Sequence, residues 1–282
     1  MKKLEYKELK DFNIVHTLEC GQCFRWKKEE DGSYTGVIKN GVINISEDNN
    51  HKITLMCETD MDAKSLVNKY FDMNRDYTQI KNAISVDDEN MQKAIKYGYG
   101  IRILCQDPWE MLISYIISAA NNIPRISKTI ENISKAYGKK VIFNKKEHYL
   151  FPTPEELSKA SIEDLRKLNL GFRDKYVYNA TKAVLEGRIN LEKIEKMTYK
   201  EAKKELMKLD GVGAKVADCI LLFSMNKVEA FPIDTWIKKV MINLYNTKEN
   251  LKDIEECAIK RFGEYAGIAQ QYLFYYMREN DD

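Results

Sequence analysis

The sequence predicts an α+β protein. An antiparallel β-rich domain is expected over residues 1–85 and a mostly α-helical domain over residues 86–282. Three observations carry that expectation. Asn40-Gly41 stands between the β-branched runs 36–39 and 42–45, a strong hairpin signal. From Val86 onward the apolar residues recur at helical spacing and helix caps become frequent. Residues 199–225 read as helix, tight glycine turn, helix.

In chain order, residues 52–57 give a further strand and 62–71 a short helix. Residues 91–98 form the first helix of the second region. Asp107-Pro108 is an N-cap followed by proline at N1, opening a strongly apolar helix over 109–119. The polar junction Asn121-Asn122-Ile123-Pro124-Arg125 precedes a helix over 126–137. Thr153-Pro154 and Ser161 cap two more. Gly171-Phe172-Arg173 interrupts the pattern before a helix over 175–186, and a last helix covers 269–277.

The stretch from Thr198 to Trp236 carries the chemistry. Thr198 with Glu201 forms a capping box for the hairpin's first helix. The second helix places Val216, Cys219, Ile220 and Phe223 on one face. Between them, Gly211-Val212-Gly213 brings backbone N–H groups to a helix start, where an anion such as a phosphate is favoured. Taken alone this is also an ordinary αα-corner. Lys215 sits in the first turn, where the helix dipole disfavours a cation and so favours the neutral, nucleophilic amine. Cys219 lies one turn further on, and Asp234 follows Phe231-Pro232 at a helix start. Singly, each of these residues reads as a solvated lysine, a core thiol or a cap. Together, an amine beside a carboxylate next to a phosphate-gripping turn points to covalent chemistry on a nucleic-acid sugar.

Composition sets limits. The net charge is only +2, so any nucleic-acid surface must be local. Six cysteines in 282 residues suit free thiols in a reducing cytoplasm. Cys20-x-x-Cys23 has no second pair to complete a metal site, and no apolar run is of membrane length.

The pattern Leu206-x-x-Leu209-x-Gly211-Val212-Gly213-x-Lys215, with Asp234 after a proline, resembles the helix-hairpin-helix DNA glycosylases of the GPD type. Residues 211–219 are most similar to the 8-oxoguanine DNA glycosylase/AP lyases. The β-rich region resembles that family's N-terminal domain. The resemblance implies that Lys215 attacks the sugar and Asp234 assists. Gly21, in Gly21-Gln22-Cys23-Phe24-Arg25-Trp26, would contact the oxidised base through its carbonyl. Cys219 and Phe274 would flank the base and Gln270 would hydrogen-bond it. Arg125 and Arg173 match residues that contact the opposite cytosine, and Phe172 matches a wedge. Asn121 and Asn122 would face DNA, and Gly211, Val212 and Gly213 would grip its backbone. Two positions depart from the pattern: Ala120 replaces an asparagine of the eukaryotic members, and Trp236 replaces a histidine of some. Only Cys257 follows Asp234, so the iron–sulfur cluster of related subfamilies is not expected. The implied protein is a monomer without cofactor or assigned metal ligands, acting in the cytoplasm or nucleoid on double-stranded DNA containing 8-oxoguanine; its hairpin leaves room for a structural metal ion between its carbonyls and a phosphate. Alternatives are a glycosylase for another damaged purine or a non-catalytic DNA-binding module. Such a module needs neither Lys215 nor Asp234.

Overall fold

The computed structural model describes residues 1–7 and 9–280. Five strands, β1 (Lys2–Tyr6), β2 (Trp26–Lys28), β3 (Tyr34–Ile38), β4 (Gly41–Glu47) and β5 (Ile53–Thr59), form one antiparallel sheet in the order β1-β5-β4-β3-β2. The β3–β4 hairpin lies where the sequence places it, with a different turn. Ile38 pairs with Gly41, so the loop is Lys39-Asn40, one residue earlier than expected. Lys39 takes the positive φ of 46° itself. Gly41 serves the sheet instead: a Cβ there would stand 2.8 Å from Thr59 Cβ and 2.9 Å from the Glu58 carbonyl. Ile43, Ile45, Leu55 and Cys57 project from the sheet into a core closed by Val67 and Phe71, in and just after the helix Ala63–Tyr70.

The helical region is organised around the helix Pro108–Ser118, buried continuously from Trp109 through Ile117. A helix apolar on every side must be surrounded by other elements, and the helix Ala214–Ser224, buried from Val216 through Ser224, packs directly on it. The helix Thr235–Tyr245 packs on the C-terminal helix Ala266–Asn280, and all four contribute to one core. The caps are where the sequence puts them. The Asp107 carboxylate accepts from the Trp109 and Glu110 N–H groups at 3.0 Å each. Thr153/Glu156, Ser161/Asp164 and Thr198/Glu201 form reciprocal capping boxes.

Two further features differ from expectation. A second small sheet pairs β6 (Lys140–Phe143) with β7 (Lys146–Tyr149), and Phe143 packs on Val37 and Val42 of the first sheet. The helix Ile123–Tyr137 starts three residues before position 126, so Arg125 lies inside its first turn. Pro124 is tolerated there because first-turn N–H groups have no intrahelical partner. Asn122 caps this helix, its Oδ1 accepting from Arg125 N–H at 3.0 Å.

Gln22 joins the two regions. Its side chain donates to the Arg102 carbonyl at 2.8 Å and accepts from Leu104 N–H at 2.9 Å, fixing the segment that carries Gly21 against the chain leading into Pro108. Among the described residues no helix is long and apolar enough to cross a membrane.

Candidate active site

The hairpin joins the helix Tyr199–Leu206 to the helix Ala214–Ser224. Its two glycines do different work. Gly211 has φ +85°, and a Cβ there would lie 2.7 Å from Tyr176 Cγ. Gly213 is the extended N-cap, with open space where a Cβ would stand and no side chain capping the first turn. The first-turn N–H groups are therefore available to an anion. Val212, between them, is buried and anchors the turn. Gly211→Ala is expected to lower stability by roughly 1–3 kcal/mol through left-handed strain and the Tyr176 contact. Gly213→Ala is expected to leave stability nearly unchanged. Denaturant titration of both variants checks this contrast.

Lys215, the second residue of that helix, is half-buried, with Nζ 5.7 Å from the centre of the Tyr115 ring. Cys219 is buried one turn on. Burial pushes its thiol up to about 11, opposed by the nearby Lys215 ammonium. Asp234 caps the helix Thr235–Tyr245, accepting from Ile237 N–H at 2.8 Å. Burial raises its carboxyl above the ordinary value, opposed by that N–H and then by the Lys215 charge. The amine and the carboxylate thus act on each other although they lie nineteen positions apart in the chain.

Both open onto one recess, also lined by Gly21, Cys219, Gln270 and Phe274. All six residues expected to bind the base or catalyse its release meet there. Gln270 is only 4% exposed, and its Oε1 has no hydrogen-bond partner among the described residues. A buried acceptor without a donor marks a place where a ligand donor fits. The recess opens into a wider groove walled by Ala120, Asn121, Asn122, Trp236 and Arg278.

One polar junction, Ala119 to Pro124, walls the groove, and the other, Gly171 to Arg173, is tied to it through Arg173. Phe172 is 61% exposed, with the Arg173 guanidinium 4.3 Å from its ring centre. Arg173 itself is buried. Its Nε donates to the Ala119 carbonyl at 2.8 Å, and Nη2 donates to the Ala119 carbonyl and to that of Ala120 at 2.9 Å. Its donors hold the Asn121-Asn122 junction in place. Arg125 is exposed, and its charge adds to burial in lowering the Arg173 pKa, so the two guanidinium groups neighbour each other. Asn121 donates to the Ile117 carbonyl at 3.1 Å and accepts from Asn122 N–H at 3.0 Å. Ala120 adopts φ +48°, a conformation more natural to asparagine.

Two site residues escape sequence reasoning. Tyr115 stacks on Phe223 with ring centres 5.8 Å apart, donates its hydroxyl to the Gln22 carbonyl at 3.3 Å and lines the recess. Nothing in its uniformly apolar helix distinguishes it. Arg278 donates to the Glu19 carbonyl at 2.7 Å, beside Gly21. Its one signal is the four-residue spacing from Phe274. Cys20 and Cys23 are buried thiols that donate to the Thr17 and Leu18 carbonyls at 3.4 and 3.3 Å.

Comparison with known proteins adds to the geometry. Residues 5–112 match the model of the 8-oxoguanine DNA glycosylase N-terminal domain, and residues 113–263 match that of HhH-GPD superfamily base excision DNA repair proteins. The chain is 31% identical to a probable N-glycosylase/DNA lyase of Methanothermobacter thermautotrophicus, covering 96% of this chain and 95% of that protein. It is also 31% identical to the N-glycosylase/DNA lyase OGG1 of Arabidopsis thaliana, over 96% of this chain and 78% of that one. The fold superposes on the crystal structure of Clostridium acetobutylicum 8-oxoguanine glycosylase/lyase bound to dsDNA containing cytosine opposite 8-oxoG. The TM-score is 0.93 at 40% identity, covering 100% of this chain and 99% of that one. The hairpin, its lysine and aspartate, and both family matches together place this chain in the 8-oxoguanine DNA glycosylase family of the helix-hairpin-helix GPD superfamily.

Proposed function

We propose that this protein excises 8-oxoguanine from duplex DNA, by preference opposite cytosine, and then cuts the strand by β-elimination. The observation that carries this reading is the shared recess. The Lys215 amine and the Asp234 carboxylate lie at the same opening as the walls Gly21, Cys219, Gln270 and Phe274. An enzyme acting on a stacked base must extrude it, and a recess opening into a wider groove suits that task.

The neutral Lys215 amine attacks C1′ as the bond from C1′ to the base nitrogen breaks, and the base leaves with the bonding pair. The ionised Asp234 stabilises positive charge developing at the sugar. Ring opening gives an imine between Lys215 and C1′. Loss of a C2′ proton then expels the 3′ phosphate. Selectivity rests on N7, which carries a hydrogen in 8-oxoguanine and none in guanine. The carbonyls of Cys20 and Gln22 accept from Gln271 and Gln106 at 2.7 and 2.8 Å, whereas among the described residues no donor meets that of Gly21. That carbonyl is the acceptor for N7–H. Guanine would leave it buried and unpaired. The hairpin N–H groups hold a phosphate, and the protein works as a monomer in the cytoplasm or nucleoid.

The test is single-turnover excision from duplexes carrying 8-oxoguanine opposite each of the four bases, alongside duplexes carrying an alkylated purine. Fastest release is expected for 8-oxoguanine opposite cytosine. Faster release of the alkylated purine would overturn the assignment. The exposed Arg125 reads the cytosine edge, and each good base contact is worth roughly 1–3 kcal/mol of discrimination. Arg125→Ala is therefore expected to flatten the opposite-base profile while excision opposite cytosine persists. Identical profiles for the two proteins would show that Arg125 is a solvated charge.

A further inference from the structure

We infer that Arg278 is a positioning residue that sets lesion selectivity, by holding the Gly21 turn against the C-terminal helix. The inference rests on the reading of the recess as the 8-oxoguanine site. Along residues 19–22, three of the four carbonyls are held by side chains from elsewhere in the fold. Glu19 accepts from Arg278 Nη2 at 2.7 Å, Cys20 from Gln271 at 2.7 Å, and Gln22 from Gln106 at 2.8 Å. The carbonyl left over is that of Gly21, in the one residue of the four with positive φ, +91°. The chain is gripped on both sides of the atom that reads the base.

Two of the three grips come from the C-terminal helix. Gln271, Phe274 and Arg278 fall at i, i+3 and i+7, on one face of it. The face that supplies the aromatic wall of the recess therefore also ties down the adjoining wall at Gly21. Gln271 is buried, whereas Arg278 is 21% exposed at the groove and reachable by substitution without opening the core. Its guanidinium lies 5.7 Å from the Phe274 ring centre, and its Nη1 is 2.8 Å from where a Cβ on Gly21 would stand. Arg278 thus fills the angle between Gly21 and Phe274. Without it, neither the Gly21 carbonyl nor the Phe274 ring keeps its distance from the base. A selective site tolerates little such looseness.

This role separates two activities that share Lys215. Releasing 8-oxoguanine needs the recess to grip a base, whereas cutting a preformed abasic site needs only the amine and the sugar. For Arg278→Ala, excision of 8-oxoguanine is expected to fall on the order of 10- to 100-fold, the scale of one lost charge-assisted hydrogen bond. Cleavage of an abasic duplex should fall by a much smaller factor than excision, since no base contact is involved. Arg278→Lys, which can still reach a carbonyl, should restore part of the excision rate. The preference for binding 8-oxoguanine duplex over guanine duplex should shrink in Arg278→Ala. Equal losses in excision and abasic cleavage, or no loss in either, would overturn the inference. Failure of the native protein to release 8-oxoguanine at all would instead strike at the functional reading beneath it.

Discussion

Lys215→Gln is expected to stop base release and strand cutting together, by on the order of 10³-fold or more, while lesion-duplex binding persists. The amide cannot add to C1′ and cannot form an imine, so both steps lose the same atom. Glutamine is an unbranched helix former of similar length, and Lys215 is half-buried at a helix start, so the fold should hold. The two losses can be separated by treating one half of each reaction with alkali, which cuts wherever the base has gone. If base release stayed near the native rate and only cutting vanished, water would be the attacking group and Lys215 a lyase residue alone.

Asp234→Asn is the second large effect. An ionised carboxylate stabilises charge at the sugar in the transition state, and asparagine does not. Base release should slow on the order of 10²-fold or more, with binding little changed. The substitution isolates charge from structure because asparagine caps helices as well as aspartate does. The helix Thr235–Tyr245 should keep its Ile237 N–H bond. The pH dependence follows from burial. With the Asp234 carboxyl raised above its ordinary value, the acid limb of base release lies at higher pH than for a free aspartate. Release falls as pH drops through that limb, and the Asp234 contribution to it is absent in Asp234→Asn. Stability has the opposite sign. The folded state binds this proton more readily than the unfolded one, so the ionised group disfavours the fold at neutral pH. Asp234→Asn should therefore match or exceed the native melting temperature. A near-native rate of base release would make Asp234 a cap and nothing more.

What the sequence reveals here follows from how local the cause is. Capping boxes act within four residues, and Thr153, Ser161 and Thr198 are all legible for that reason. Cys219 is legible because it lies one helical turn from Lys215. The β1 and β7 strands are not, since Lys2–Tyr6 and Lys146–Tyr149 are rich in charged residues and form only through partners elsewhere in the chain. The Lys39-Asn40 turn was hidden because Gly41 is required by β5, twelve or more residues away, and not by the turn. Arg173 shows the same limit at the site. Its hydrogen-bond partners, the Ala119 and Ala120 carbonyls, lie more than fifty positions earlier. Tyr115 and Arg278 owe their places in the site to contacts across the whole fold.

Lys215 is expected to bond covalently to the sugar. Borohydride added during reaction with 8-oxoguanine duplex reduces an imine to a stable adduct, which proteolysis and mass spectrometry can place on the chain. The expected result is a single cross-linked peptide with the sugar on Lys215 Nζ, lost in Lys215→Gln and retained in Arg125→Ala. An adduct on any other lysine or on the terminal amine, or base release with no adduct at all, would contradict it.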